Sequence, residues 1–185
     1  VSAIHLEDQV LPKKCGHLDG KELISAQAMA EKLRVACAAR SDPDFIIIAR
    51  TDARGVTSFD DAVDRAKRYL DAGADAIFPE AMASADELAS FAQKVKAPLL
   101  ANMTEFGKTP LLSLKELASL GYRIVIYPQT ALRVAFGAIE PMLADLKRTG
   151  DQNAWLPKMQ SRQQLYDLLD YDGLTRADKA AGGGS

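Results

Sequence analysis

The stretch FIIIAR at residues 45–50 is an unbroken apolar run that ends in an arginine. Because no polar residue alternates with the apolar ones, this run is typical of a β-strand that is covered on both faces. Further short apolar runs occur along the chain, and we expect five strands in all. They are SAIHL at 2–6, FIIIAR at 45–50, DAIFP at 75–79, PLLAN at 98–102 and RIVIYP at 123–128, the last ending near 127.

Helical stretches separate these runs, at about 24–40, 59–72, 85–95, 114–120 and 130–148. Gly73 and Gly121 suit the left-handed position that closes a helix. Alternating strands and helices predict βαβ units around a parallel sheet, hence an α/β fold. No G-x-G-x-x-G follows a strand, so a dinucleotide-binding fold is not indicated. Helix starts carry capping-box spacing at Ser58 with Asp61, Ser84 with Glu87, Ser113 with Glu116, and Ser161 with Gln164.

The composition is that of an ordinary globular domain, with 48% hydrophobic and 26% charged residues among 185. A net charge of −2 gives no general attraction to nucleic acid. No run of about 18 apolar residues is present, so we expect no membrane span. The N-terminus has no basic and apolar leader pattern, and two cysteines make no disulfide framework, so we expect a cytoplasmic protein.

Polar residues crowd the carboxyl end of each predicted strand, which is the face where a (β/α) barrel places its active site. Loops are polar in any case, which is the plainer interpretation. The two arginines of this set suit carboxylates, so a small di- or tricarboxylate substrate is expected. The acidic members would repel such an anion unless a divalent cation, magnesium or manganese, lay between them. Asp52 more plausibly fixes Arg50 or a loop than reacts. The set is Glu7, Asp8, Arg50, Asp52, Glu80, Asn102, Thr104, Glu105, Gln129 and Arg133.

The segment LPKKCGHLDGKE at 11–22 holds Cys15 and His17, and each is one of only two of its kind in the chain. A zinc site at these two residues is disfavoured, because no further spaced ligands follow. Free cysteines usually prefer burial, so a loop cysteine favours a functional thiol over an unimportant one. Cys37 is expected to pack in the core, and His5 is interpreted as a satisfied core histidine.

Six segments resemble the methylisocitrate lyases of the isocitrate lyase/phosphoenolpyruvate mutase superfamily, in the family's order, from residue 2 to about 172. They are HLEDQVLPKKCGH, ARTDARG, FPEA, LLANMTEFGKTP, YPQTALR and MQSRQQLYDLL. The resemblance implies a (β/α)8 TIM barrel, here incomplete, with about five βα units plus C-terminal helices. It also implies a homotetramer with a helix exchanged between subunits. The implied reaction is Mg²⁺-dependent retro-aldol cleavage of 2-methylisocitrate to pyruvate and succinate, in propionate catabolism through the methylcitrate cycle.

The resemblance assigns roles to particular residues. It makes Cys15 the catalytic acid, on a loop at 9–22 that closes over the substrate. A thiol suits that role, because it stays protonated near neutral pH and Lys13, Lys14 and His17 would stabilise the thiolate. Glu7 resembles a carboxylate that reaches the metal through water. The implied substrate contacts are Cys15, Gly16, Arg50, Glu80, Asn102, Thr104, Arg133 and Arg162.

The chain departs from the family at its start. The family's first three strands, with the D-x-D aspartates that ligate magnesium, would precede Val1, and DPD at 42–44 precedes a strand. We therefore expect no activity from the isolated chain. The alternatives are a related lyase acting on isocitrate, dimethylmalate or oxaloacetate, or an inactive truncated fragment. The predicted division is a partial barrel at 1–150, a helical segment at 151–176 anchored by Trp155, and a flexible tail at 177–185.

Overall fold

The structure is a computed structural model, and it describes residues 1–182. Five strands and five helices alternate as the sequence predicts. The strands are β1 (Ala3–Glu7), β2 (Ile46–Thr51), β3 (Ala76–Pro79), β4 (Leu100–Asn102) and β5 (Ile124–Ile126). The helices that follow them are α1 (Ala26–Ala39), α2 (Phe59–Asp71), α3 (Ala85–Lys94), α4 (Leu114–Leu120) and α5 (Thr130–Thr149).

β1 to β5, the strands of residues 1–182, pair in parallel, which confirms the predicted sheet. β2 lies between β1 and β3, and β4 pairs with β5. A parallel bridge between Ile77 and Leu99 joins the two groups, so the strands follow one another in chain order. Strands in sequential parallel order with helices between them are the arrangement of a (β/α) barrel wall.

Both faces of the sheet are apolar, as the unbroken runs predict. One face packs under the helices through residues such as Ile47, Ala49 and Ile77, which are at most 1% exposed. The opposite face carries Ile48 and Phe78 in a second buried cluster. Side chains alternate along a strand, so each apolar run supplies both layers.

The helix boundaries follow from local hydrogen bonding. Ser58 and Ser84 each accept a hydrogen bond from the backbone three residues later. Ser113 and Ser161 form complete capping boxes, as predicted. Gly73 and Gly121 have φ of 107° and 100°, the left-handed conformation expected of them.

The chain divides into two compact units, residues 1–132 and 133–185, and α5 runs across that boundary. The second unit adds α6 (Arg162–Leu168) and α7 (Tyr171–Ala180) after a short 3₁₀ segment at Asn153–Lys158. Trp155 anchors that segment: its indole nitrogen donates to Asp145 at 3.1 Å, and Lys158 lies over its ring. The predicted domain boundaries remain predictions. α7 includes residues 177–180 of the predicted tail, and residues 183–185 lie outside the described part.

Within residues 1–182, no helix is both long enough and apolar enough to cross a membrane.

Candidate active site

The register of the sheet brings the predicted polar side chains together at the carboxyl end of the strands. Glu7 on β1 is the parallel partner of Arg50 on β2, which in turn pairs with Phe78 on β3. These residues lie on the same face of the sheet, because paired residues of parallel strands point the same way. Glu80 lies directly after β3, and Asn102 is the last residue of β4. The predicted clustering at one rim is confirmed for these residues.

Arg50 is the centre of the cluster, and it is 7% exposed. Its guanidinium lies 2.9 Å from Asp52, 3.1 Å from Glu80 and 3.2 Å from Glu7, with the ring of Phe78 4.8 Å away. Burial alone would lower the pKa of Arg50, but the hydrogen bonds to Asp52 and the surrounding carboxylates hold that pKa above its usual value. Arg50 is therefore a fixed, fully charged guanidinium whose Nε and Nη2 face carboxylates of the protein.

Glu80 is 1% exposed and is held from three directions. Nη2 of Arg50 lies 3.1 Å from Oε2, the amide of Asn102 donates to Oε2 at 3.3 Å, and Nε2 of His17 lies 3.1 Å from Oε1. Burial alone would raise the pKa of Glu80, yet His17 and Arg50 together keep this pKa below its usual range. Glu80 is therefore an ionised carboxylate in a nearly water-free setting.

Asp52 is completely buried and joins Arg50 to a second cation, Lys21. Its carboxylate accepts from Nε of Arg50 at 2.9 Å and from Nζ of Lys21 at 3.0 Å. Burial opposes ionisation, but these two cations hold the pKa of Asp52 below its usual value. The structural role expected for Asp52 agrees with this geometry. The burial of Lys21 and its pairing with Asp52 were not expected from the sequence, because nothing in the neighbouring sequence distinguishes Lys21 from a solvated loop lysine.

The loop at 9–22 is folded onto this cluster. The side chain of Gln9 brackets the backbone of Lys14 with two hydrogen bonds of 2.9 and 3.0 Å. Gly16 is buried at the loop tip, and a Cβ there would overlap the side chains of Glu80 and Arg50. Cys15, next to it, is exposed and carries a free thiol. The lack of a side chain at Gly16 allows the backbone to approach these two side chains closely, and its expected contact with the substrate stays a prediction.

The lysines and histidine expected to stabilise the Cys15 thiolate have other partners. Lys13 pairs with Glu7 at 2.9 Å, and Lys14 donates to the carbonyl of Gly20 at 2.6 Å. His17 turns inward to Glu80. The charges of these side chains are therefore directed at carboxylates and the backbone.

The tautomer of His17 is set by a second loop, between β4 and α4. The backbone N–H of Lys108 donates to Nδ1 at 2.9 Å, so in the neutral ring the proton lies on Nε2, facing Glu80. Gly107 allows this contact, since a Cβ there would lie 2.7 Å from Nδ1. Lys108 also pairs with Asp19 at 2.7 Å. The two loops are thus joined beside Glu80.

Two buried polar atoms beside Glu80 have no hydrogen-bond partner in the part of the chain described. They are Nε2 of His17, whose contact with Glu80 is close but poorly aligned for a hydrogen bond, and Oδ1 of Asn102. Buried polar atoms in native proteins are rarely left unsatisfied. One is a donor and the other an acceptor, so hydroxyl groups or water molecules can satisfy them.

Asp8 does not belong to this cluster, although the sequence grouped it with Glu7. It points to the helix layer and accepts hydrogen bonds from Thr51, Tyr69, Arg65 and the backbone of Asp52. Consecutive strand residues face opposite sides, so only one of the two acidic residues can reach the site. Asp8 is a structural carboxylate that holds the backbone just behind Arg50.

One other expectation is revised, and one is largely met. The interpretation of His5 as a core histidine is wrong: it is exposed, with its ring edge-on to Phe78 at 5.7 Å. It lies on β1, the outermost strand of the described sheet, so no further strand covers it. Cys37 is half-buried against the core, and its thiol contacts the carbonyl of Gly73 at 3.2 Å, close to the expectation.

The remaining predicted site residues lie elsewhere in the chain. Thr104 is half-buried just beyond β4. Arg133 and Arg162 belong to the second unit, on α5 and at the start of α6. Their predicted roles as substrate contacts remain predictions.

The cluster does not offer a complete magnesium site. No group of three or more histidine, cysteine or acidic side chains is placed to hold a metal ion within the described chain. Glu7, expected to reach a metal through water, pairs with both Lys13 and Arg50. Oxygen-rich coordination of Mg²⁺ therefore needs ligands beyond those of this cluster.

Comparison with known proteins agrees with this geometry. Residues 1–147 match the family described as phosphoenolpyruvate phosphomutase. The chain is 54% identical, over 173 residues, to a Corynebacterium glutamicum protein named probable 2-methylisocitrate lyase 1; the match covers 93% of this chain and 57% of that relative. The chain therefore spans less than two thirds of the length of this curated relative.

Solved structures show the same fold. A crystal structure of 2,3-dimethylmalate lyase, a PEP mutase/isocitrate lyase superfamily member, matches with a TM-score of 0.90 and 37% identity, covering 98% of this chain and 61% of that one. Phosphonopyruvate hydrolase in complex with oxalate and Mg²⁺ matches with a TM-score of 0.80 and 33% identity, covering 97% and 62%. With its parallel strands, rim cluster and loop, this chain belongs to the phosphoenolpyruvate mutase/isocitrate lyase superfamily.

Proposed function

We propose that this chain is the larger part of a carbon–carbon lyase that cleaves 2-methylisocitrate to pyruvate and succinate. The observation that carries the proposal is the packing of Gly16 against Glu80 and Arg50. Cys15 is the residue next to Gly16, and we propose that its exposed thiol acts at the rim that holds the buried guanidinium of Arg50. The similarity to the Corynebacterium glutamicum protein supports the same substrate.

The substrate has several carboxylates and a hydroxyl, and the cluster has groups for both. Arg50 orients a carboxylate, with Arg133 and Arg162 as proposed further contacts. The substrate hydroxyl is proposed to accept from Nε2 of His17 or to donate to Oδ1 of Asn102, the two unsatisfied atoms beside Glu80. A molecule held in this way at the rim lies beside the loop tip that carries Cys15.

The reaction is a retro-aldol cleavage. A base removes the proton of the substrate hydroxyl, and the new C=O bond forms as the carbon–carbon bond breaks, which turns one fragment into pyruvate. The electron pair of the broken bond remains on the other fragment, a carbanion-like form of succinate. The thiol of Cys15 gives its proton to that carbon. The protonated base then releases the proton that it took from the hydroxyl, and the thiolate recovers one, so none is gained or lost overall. A thiol is a suitable acid because its usual pKa is near 8.5.

The proposed activity depends on Mg²⁺ in the complete enzyme, with direct ligands outside the cluster and Glu7 in an outer position. Support comes from the phosphonopyruvate hydrolase complex, which contains Mg²⁺ and oxalate.

A second candidate substrate is a dimethylmalate, which is favoured by the similarity to 2,3-dimethylmalate lyase at 37% identity. Isocitrate and oxaloacetate are further alternatives within the superfamily. All four are carboxylates that Arg50 can bind, so the rim alone does not separate them.

We also propose a homo-oligomeric, cytoplasmic enzyme, a tetramer in which α6 and α7 pack against a neighbouring subunit. None of the residues of these two helices is buried, and their large apolar side chains are exposed. Both cysteines are free, which suits a reducing compartment. Light scattering after size-exclusion chromatography measures the oligomeric state, and a monomeric complete enzyme would contradict this proposal. The exposed apolar side chains on and between α6 and α7 are Leu165, Tyr166, Leu168, Leu169, Tyr171 and Leu174.

The test is product formation by the complete enzyme with the four substrates in parallel. We expect pyruvate release from 2-methylisocitrate with the highest kcat/KM. Arg50→Lys should lower kcat/KM at least about tenfold, because an ammonium cannot replace the bidentate guanidinium. Arg54→Lys is the matched control, since Arg54 pairs with Glu87 on α3 and should leave turnover unchanged. Release only from another substrate would reassign the activity, and equal effects of both variants would contradict the role of Arg50.

A further inference from the structure

We propose that Lys21 is a positioning residue that fixes the tip of the loop at 9–22 onto the sheet. Its ammonium joins the carbonyl of Gly16 to the carboxylate of Asp52. The inference rests on the proposed function only in so far as Cys15, adjacent to that carbonyl, is taken as the proton donor.

The geometry of Lys21 is that of a buried bridge. Its side chain is 1% exposed, and Asp52 is 0% exposed. Nζ donates to the Gly16 carbonyl and lies 3.0 Å from Oδ1 of Asp52. Asp52 also accepts from Nε of Arg50. One ammonium therefore links the loop tip to the carboxylate that orients the central guanidinium.

The other contacts of the loop differ in kind. Those of Gln9 and Lys14 stay within the loop, so they shape it without attaching it. His17 reaches Glu80 and the backbone of Lys108, which gives a second attachment beside the first. Ion pairs of Lys13 with Glu7 on β1 and of Asp19 with Lys108 attach other parts of the loop. Lys21 is the contact that joins the tip to the carboxyl end of β2, behind Arg50.

The positive charge of Lys21 is needed as well as its length. A buried carboxylate that loses one of its cationic partners is strongly destabilised. Without Lys21, Asp52 would depend on Arg50 alone, and Arg50 already pairs with Glu7 and Glu80. The rim would also gain a net negative charge, which opposes the binding of an anionic substrate.

Amide hydrogen exchange tests this inference without requiring turnover. Three amides serve as reporters: Leu18, which donates to the carbonyl of Cys15; Lys108, which donates to His17; and Ile77, which donates to Pro98 in the sheet. In Lys21→Met, we expect Leu18 and Lys108 to exchange at least about tenfold faster, with Ile77 unchanged, because only the tip is released.

Lys14→Met is the matched control, because it removes an ammonium that binds a carbonyl of the same loop. All three amides should keep their wild-type exchange rates in that variant. Unchanged rates at Leu18 and Lys108 in Lys21→Met, or equal acceleration in both variants, would overturn the inference.

If Ile77 also exchanges faster in Lys21→Met, the same measurement is made on Lys21→Gln, whose amide keeps a hydrogen-bond donor but lacks the charge. Selective acceleration at Leu18 and Lys108 then supports the inference. Acceleration of all three amides in both variants would show that Lys21 supports the whole fold, which contradicts a role at the tip. Lyase activity is assayed separately, so a failed activity proposal leaves this result intact.

Kinetics of the complete enzyme supply a second readout. Lys21→Met should lower kcat at least about tenfold, because the proton donor is no longer held at the rim. It should also raise KM, because the rim becomes more negative. An unchanged KM with an unchanged kcat would overturn the inference even if the loop amides exchange faster.

Discussion

Asp8→Asn should destabilise the protein substantially, although Asp8 lies outside the rim cluster. The carboxylate is 0% exposed. Its Oδ1 accepts from the backbone of Asp52 at 2.9 Å. Its Oδ2 accepts from Thr51 and Tyr69 at 2.8 Å each and from Arg65 at 3.3 Å. An asparagine side chain keeps an oxygen for the backbone N–H of Asp52, but it places an NH2 group where Oδ2 accepted from the three side-chain donors.

The magnitude follows from what each donor can do after the change. The hydroxyls of Thr51 and Tyr69 can rotate and accept from the new amide, so they lose mainly the extra strength of a bond to a charged group. The guanidinium of Arg65 cannot accept, and it loses a charged partner, although Asp61 and the carbonyl of Ile24 remain. We expect a loss of about 3 kcal/mol in the free energy of unfolding, the lower part of the range for breaking a buried pair.

Urea denaturation followed by circular dichroism measures this loss, and it corresponds to a fall in Tm of about 6–12 °C for a chain of this size. Asp64→Asn is the control, because Asp64 is an exposed carboxylate on the helix that carries Arg65 and Tyr69. The control should change stability by less than about 0.5 kcal/mol. A loss below about 1 kcal/mol for Asp8→Asn, or one equal to the control, would refute the reasoning.

Four further predictions concern the rim. In the complete enzyme, Cys15→Ser should lower kcat by about 10²–10⁴-fold with KM little changed, because a hydroxyl is a much weaker acid than a thiol. The isolated 185-residue chain should release no pyruvate from 2-methylisocitrate, even in excess Mg²⁺, because the cluster lacks a complete ligand set. The free energy of unfolding should fall as the pH drops below about 4. The folded-state pKa values of Asp52 and Glu80 are lowered, so in this range the unfolded chain binds protons at these two carboxylates before the folded chain does, which favours unfolding. Gly16→Ala should lower kcat/KM, because the added methyl group overlaps Glu80 and Arg50.

Each of these predictions has a contradicting outcome. Near-normal kcat in Cys15→Ser would exclude the thiol as the acid. Turnover by the isolated chain that is abolished by a chelator would reveal a metal site not described above. For the pH dependence, urea midpoints are measured from pH 7 to pH 2, and Glu80→Gln should flatten the curve; an unchanged slope would contradict a lowered folded-state pKa for Glu80. Unaltered kinetics in Gly16→Ala would show that the loop tip does not need its close approach.

The sequence by itself determined the elements and their order. Apolar runs such as 45–50 predict doubly covered strands, and serines such as Ser113 set helix starts through hydrogen bonds within one turn. These are local interactions, so they can be predicted from neighbouring residues. The rim position of Arg50, Glu80 and Asn102 followed as well, because parallel strands end at one edge. The specific roles came from resemblance, since Cys15 and Gly16 in a polar loop admit several interpretations.

Only the tertiary structure decided which side chains meet. Both faces of the sheet are apolar, so alternation alone could not show which of Glu7 and Asp8 faces the rim. The partners of Lys21 and His17 depend on the path of two loops: Asp52 is 31 residues from Lys21, and Lys108 is 91 residues from His17. A lysine in a polar loop is usually solvated, and only the burial of the folded loop forces its ammonium to bond Gly16 and Asp52 instead of water. Contacts of this kind arise from packing between distant segments, and no local pattern encodes them.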